Sequence, residues 1–198
     1  MRKRLLCAQM TALLLLLCAC GGGGQDAADT AREPYRTMTA CSMEAEVTCG
    51  QGDEAMTYTL HCDYTADGAS TVEVLAPDTV EGVKATVDGE NLTLTYEDEC
   101  LNAGTLGSEQ VSPAVCLPLL MEALRDGWLL EQSQETLHEV PCLRLAVDQT
   151  GEQGGKIIST LWLRQDDGTP LRGEITVDDE IILQVEFTKF AFGDILQN

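Results

Sequence analysis

Nine cysteines, two histidines and 33 acidic side chains make up the reactive chemistry of this 198-residue chain. The histidines stand without partners. His61 falls on the polar side of an alternating stretch, and His138 lies in a loop between Leu137 and Pro141. No Gly-x-Ser-x-Gly elbow occurs, and no serine or cysteine stands in a recognisable nucleophile arrangement with either imidazole. The acidic runs Glu97-Asp98-Glu99 and Asp178-Asp179-Glu180 lack the spacing of a calcium loop. Asp166-Asp167-Gly168 reads equally well as a turn. Gly21–Gly24 leads into no strand–helix unit that would cradle a phosphate. These residues describe a non-catalytic chain that needs no cofactor and no metal.

The cysteines are the informative set. Arg2, Lys3 and Arg4 precede the apolar run Leu5–Ala19, the order of a secretory signal. That run is too short to span a bilayer comfortably. Leu17-Cys18-Ala19-Cys20 resembles a bacterial lipobox, which reads leucine, variable, small, cysteine. The resemblance implies cleavage before Cys20 and acylation of its thiol, with the body held at the outer face of the cell membrane. Residues 1–19 are then a signal peptide, 20–36 a lipidated cysteine with a flexible tether, and 37–198 a single domain. Cys7 and Cys18 leave with the signal. Cys41, Cys49, Cys62, Cys100, Cys116 and Cys142 remain, an even set that reads as disulfide candidates in an exported chain. Many pairings are open, and no Cys-x-x-Cys points to zinc or redox chemistry.

The formal charge of −21 sets the partners. Such a body repels nucleic acid and anionic headgroups, so membrane contact must come from the lipid.

The elements that carry these residues are mostly strands. Ser42–Cys49 and Met56–Tyr64 alternate with period two, one apolar face and one wet. Ser70–Ala76 follows. Val83–Val87 and Leu92–Tyr96 flank Asp88-Gly89, a hairpin signal. Cys142–Asp148, Ile157–Arg164, Leu171–Val177 and Ile181–Phe190 complete the set, the last two around Asp178-Asp179. One helix is clear. Ser112-Pro113 starts it, Val115, Cys116, Leu119, Leu120, Ala123 and Leu124 recur at helical spacing, and Gly127 ends it. Pro118 allows a later start. A shorter helix is expected near Pro34–Ala40. The fold class is mainly β (α+β): an antiparallel sheet of about nine to eleven strands with its apolar face capped by one or two helices.

Thr160-Leu161-Trp162-Leu163-Arg164, the turn Gln165-Asp166-Asp167-Gly168-Thr169 and Pro170-Leu171-Arg172 form one pattern. Glu186-Phe187-Thr188-Lys189-Phe190 and Val140-Pro141-Cys142-Leu143-Arg144-Leu145 extend it. Together they resemble the closing hairpins of LolA-like lipoprotein carriers over about residues 90–192. The resemblance implies an incomplete β-barrel whose concave face binds acyl chains. Met43, Val47, Leu60, Val74, Leu94, Leu161, Leu163, Ile175, Leu183, Val185 and Phe187 would line that hollow. The same residues serve equally well as a packed core beneath the helix. The expected partners are a membrane through the N-terminal lipid and an acyl-chain ligand bound by a monomer. The alternative is a scaffold or sensor that binds an envelope protein or the cell wall.

Overall fold

The computed structural model describes residues 24–50, 52–105, 111–151 and 155–193. The signal segment and Cys20 lie outside the described residues.

Eleven antiparallel strands form one unclosed, curved sheet among the described residues. They are β1 Ala40–Cys49, β2 Met56–Thr65, β3 Ser70–Ala76, β4 Lys84–Asp88, β5 Asn91–Tyr96, β6 Glu99–Thr105, β7 Trp128–Leu137, β8 Val140–Asp148, β9 Ile157–Arg164, β10 Pro170–Val177 and β11 Glu180–Phe192. Their order across the sheet is β6-β5-β4-β3-β2-β1-β11-β10-β9-β8-β7. Each half is a meander, and the first strand pairs with the last at the centre, Val47 opposite Val185. A register shift at Glu44/Ala45 bends this central pair, as an extra residue in one strand does.

Turn chemistry fixes the hairpins. Gly89 takes φ +57 between the paired residues Asp88 and Asn91. Asp178 and Asp179 take φ +50 and +67 between Val177 and Glu180, and His138 and Glu139 take +49 and +68 between Leu137 and Val140. Two successive left-handed residues give the turn whose twist matches antiparallel strands, and Asp tolerates that region. His138 is therefore a tight-turn residue. The acidic pair at 178–179 is also structural. Asp178 Oδ1 accepts from the Lys156 amide at 2.9 Å, and Asp179 pairs with Lys156 Nζ at 3.1 Å.

Two helices lie against the sheet, α1 Gly24–Thr37 and α2 Pro113–Asp126. α2 runs as the capping residues predict, beginning at Pro113 and keeping Pro118 inside its body. α1 corrects the expected tether, which was to extend through residue 36. Ala28, Ala31, Arg32 and Tyr35 recur at i, i+3, i+4 and i+7, and this stripe docks on the body. Tyr35 is buried against Phe190 and Phe192, and its hydroxyl donates to the Gly168 carbonyl at 2.6 Å. Arg32, 4% exposed, donates from Nε to the Leu124 carbonyl (2.7 Å) and from Nη2 to those of Ala123 (3.1 Å) and Gly127 (2.7 Å). These carbonyls cluster at the α2 C-terminus, where the helix dipole also favours a cation; that of Ala123 accepts the Gly127 amide as well.

On the outer face Trp162 is covered by the guanidiniums of Arg144 and Arg172, 5.8 and 5.4 Å from its ring centre. Its Nε1 donates to Glu135 Oε2 at 2.8 Å. Charged stems thus shield an outward aromatic, while the apolar residues of the same strands turn toward the helices.

Candidate functional site

The concave face is where the sequence puts its apolar side chains, and α2 decides how much of it stays open. The helix presents Val115, Cys116, Leu117, Leu120, Met121, Ala123 and Leu124 to the sheet, all buried. Gly173 on β10 lets it approach. A Cβ there would lie 2.7 Å from Leu120 Cδ1, too close for contact. Gly127 performs the same service at the helix exit, where a Cβ would meet Val147 Cγ1 at 2.2 Å.

This close seating divides the expected cavity lining. Met43, Val47, Leu60, Leu161, Leu163, Ile175, Leu183 and Val185 are at most 1% exposed and belong to the packed core. Val74, Leu94 and Phe187 pack on its margin. Leu60, Val74 and Leu94 also face an open volume, a hollow of about 240 Å³ between β2–β5 and the start of α2. The remaining members are corrected from cavity lining to core, because the helix occupies the space above them.

The larger apolar opening lies on the other flank of α2, and none of the expected residues lines it. It measures about 570 Å³. Its apolar wall comes from Val87, Val111, Val115, Pro118, Leu119 and Ile157. Its polar rim comes from the β2–β3 turn, the β4–β5 turn and α2: Asp67, Asp88 and Glu122, with Tyr64 beneath. The volume falls within the roughly 300–1,000 Å³ of small-molecule sites. Tyr64 donates its hydroxyl to Glu122 Oε1 in a short hydrogen bond. Burial, then that hydrogen bond, pushes the phenol well above its ordinary value, so Tyr64 stays a donor. Arg125 grips the turn, donating to the Ala66 carbonyl at 2.6 Å and to Asp67 Oδ1 at 3.0 Å. Gln149 closes the far side, donating to the Leu119 carbonyl and accepting from Ser159. A third hollow, about 610 Å³, lies between α1 and the β9–β10 turn, with Arg164, Gln165, Asp166 and Asp167 in its walls. Ala27, Ala31, Pro34 and Leu143 share those walls with the charged side chains.

His61 is half-buried on β2, with Nε2 3.4 Å from Asp63 Oδ1. Among the described residues no cluster of three or more His, Cys, Asp or Glu side chains could hold a metal ion.

The six body cysteines stand as thiols, with none of the expected disulfides formed. Register separates some of them. Cys100 pairs with Thr95 and Cys142 neighbours the core residue Leu143, so both sit on the outer face, near opposite ends of the sheet. Cys41, Cys49, Cys62 and Cys116 share the inner side, with Cys41 and Cys49 eight residues apart on one strand, some 27 Å. Burial pushes the Cys41 and Cys116 thiols up to about 12 and Cys62 well above its usual value. A maleimide pulse on native protein is therefore expected to label exposed Cys100 fast and half-buried Cys49 slowly. Cys41, Cys62, Cys116 and Cys142 should react only after unfolding. Intact-mass spectra read the adducts; a mass lowered by paired thiols would contradict this arrangement.

No protein-family model matches the chain. No curated protein matches it. Solved structures do. A protein described as an outer membrane lipoprotein-sorting protein domain, from Vibrio parahaemolyticus, superposes with TM-score 0.52 at 10% identity, covering 88% of this chain and 94% of its own. A DUF1329 family protein from Desulfovibrio piger gives TM-score 0.51 at 13% identity, covering 85% and 92%. The chain thus has a LolA-like fold, an unclosed β-barrel with helices across its hollow. The likeness runs nearly end to end on both sides, so the whole described body is one such unit.

Proposed function

We propose that this chain is a membrane-anchored extracytoplasmic lipoprotein that holds a lipid-like ligand in the hollow beside α2. The observation that carries this reading is the 570 Å³ opening beside α2, walled by Val87, Val111, Val115, Pro118, Leu119 and Ile157. A hydrocarbon entering it gains about 0.8 kcal/mol per buried methylene. The chain then acts by binding, without catalysis, and its one domain, expected over 37–198, takes in α1 as well. Cys20 carries the lipid that keeps it at the cell membrane. No helix among the described residues is long and apolar enough to cross a membrane.

The cavity is tested on a Cys20→Ser chain purified without detergent. Native mass spectrometry is expected to show an added lipid mass, or uptake of a fluorescent fatty-chain probe at one site. Leu119→Trp, which fills the hollow, is expected to weaken uptake at least about tenfold while leaving the fold intact. The anchor is tested separately by metabolic labelling with an alkynyl fatty acid, where the wild-type chain should take the label and Cys20→Ser should not.

A second reading has one observation behind it. Trp128 and Leu130 on the outermost strand β7 are 75% and 50% exposed. An aromatic and an aliphatic side chain on a free sheet edge suit an envelope-protein partner. A clean apo mass with no probe uptake would favour this scaffold over the ligand binder.

A further inference from the structure

We propose that the hollow beside α2 selects an amphiphile with a cationic head, an inference that rests on the hollow being the binding site. Its charged lining is of one sign. Asp67, Asp88 and Glu122 line it, and among the described residues no lysine or arginine does. The nearest cation, Arg125, is already committed. Its Nη1 binds the Ala66 carbonyl, its Nη2 binds Asp67, and its Nε lies 3.3 Å from Asp126. Its guanidinium therefore tempers Asp67 and also reaches the Tyr64 hydroxyl that Glu122 binds, while Asp88 lines the opening from the β4–β5 turn.

The polarity is also directional. The carboxylates stand on two turns and on the α2 face beside Tyr64, whereas Val111, Val115, Leu119 and Ile157 form the wall. An alkyl chain can lie along that wall with its head among the acids. Tyr64 lies buried beneath the rim and holds Glu122 in place there through its hydroxyl. An anionic head in the same position would meet like charge at the rim. The net charge of −21 adds a long-range bias of the same sign. The occupant is thus a single-chain amine or quaternary ammonium amphiphile, not a fatty acid.

Three probes with one tail separate head from chain: dodecyltrimethylammonium, dodecyl maltoside and dodecanoate, titrated below their micelle concentrations into the Cys20→Ser chain. Calorimetry is expected to show one site, with the cation bound at least about tenfold tighter than the anion and the neutral head between them. Asp67→Asn, Asp88→Asn and Glu122→Gln together should bring the three within about threefold. Neutralising three exposed acids elsewhere, Asp78, Glu81 and Glu180, should leave the order intact. Asp88→Asn alone, at an exposed turn where Asn-Gly is as good as Asp-Gly, gives a partial effect should the triple variant misfold. Equal affinity for all three heads overturns the cationic preference and leaves the hollow a binding site. A preference lost equally in the distal variant also overturns it, since net charge then explains the order. Binding of none of the three overturns the cavity reading itself.

Discussion

Replacing Arg32 with alanine is expected to lower the unfolding free energy by about 3–5 kcal/mol, the largest single loss among the polar residues. Its guanidinium makes three hydrogen bonds to main-chain carbonyls in a nearly dry environment. Hydrogen bonds from a charged donor contribute about 1.5–3 kcal/mol each, and their loss leaves buried acceptors without partners. Burial lowers the Arg32 pKa, with Arg36 adding repulsion and Asp29 and Asp126 opposing it, yet a guanidinium stays charged in water-stable folds. Lysine in its place offers one charge without the planar fork, so Arg32→Lys should recover less than half. Urea unfolding followed by circular dichroism reads both variants. A midpoint unchanged for Arg32→Ala would mean that α1 does not hold the end of α2.

The second large effect is at the seat of α2. Leu120 is fully buried, and Leu120→Ala is expected to cost about 2–5 kcal/mol through lost transfer energy and the void it leaves. Gly173→Ala alone should cost about 1–3 kcal/mol, because the new methyl would press on Leu120 Cδ1. Combined, the two changes should not add. The methyl then enters the space that the leucine left, and Gly173→Ala in the Leu120→Ala background should be neutral or stabilising. A double-mutant cycle measures this coupling. Simple additivity would show that Leu120 does not rest on that glycine.

Sequence pattern carried the architecture well where a local rule applied. Ser112, Pro113 and Gly127 bracket α2 because capping is written in a few residues, and Asp88-Gly89 and Asp178-Asp179 mark hairpins because those turns need particular backbone angles. Three elements escaped. β7 lies at the sheet edge with both faces largely wet, so Trp128–Leu137 never alternates. β6 is short, begins within the acidic run at Glu99 and contains Gly104. α1 buries two alanines and an arginine, a stripe that hydropathy reads as a linker; only the i, i+3, i+4, i+7 recurrence up to Tyr35 could have revealed it. The candidate site was the least legible part. Alternation placed eleven apolar residues on the inner face, yet which of them stay uncovered depends on where α2 lands. The larger hollow is built from turns and helix residues such as Asp67, Val111 and Leu119, which follow no strand periodicity.

The docked first helix has a consequence for reach. With the lipid proposed at Cys20 and α1 beginning at Gly24, four residue steps join them, and a chain covers at most about 3.6 Å per step. The leash is then no longer than about 14 Å, less than half the thickness of a bilayer's oily interior. A domain so moored sits against the headgroups, unable to patrol the space beyond, and any cargo would change hands within one molecular diameter of the lipid surface.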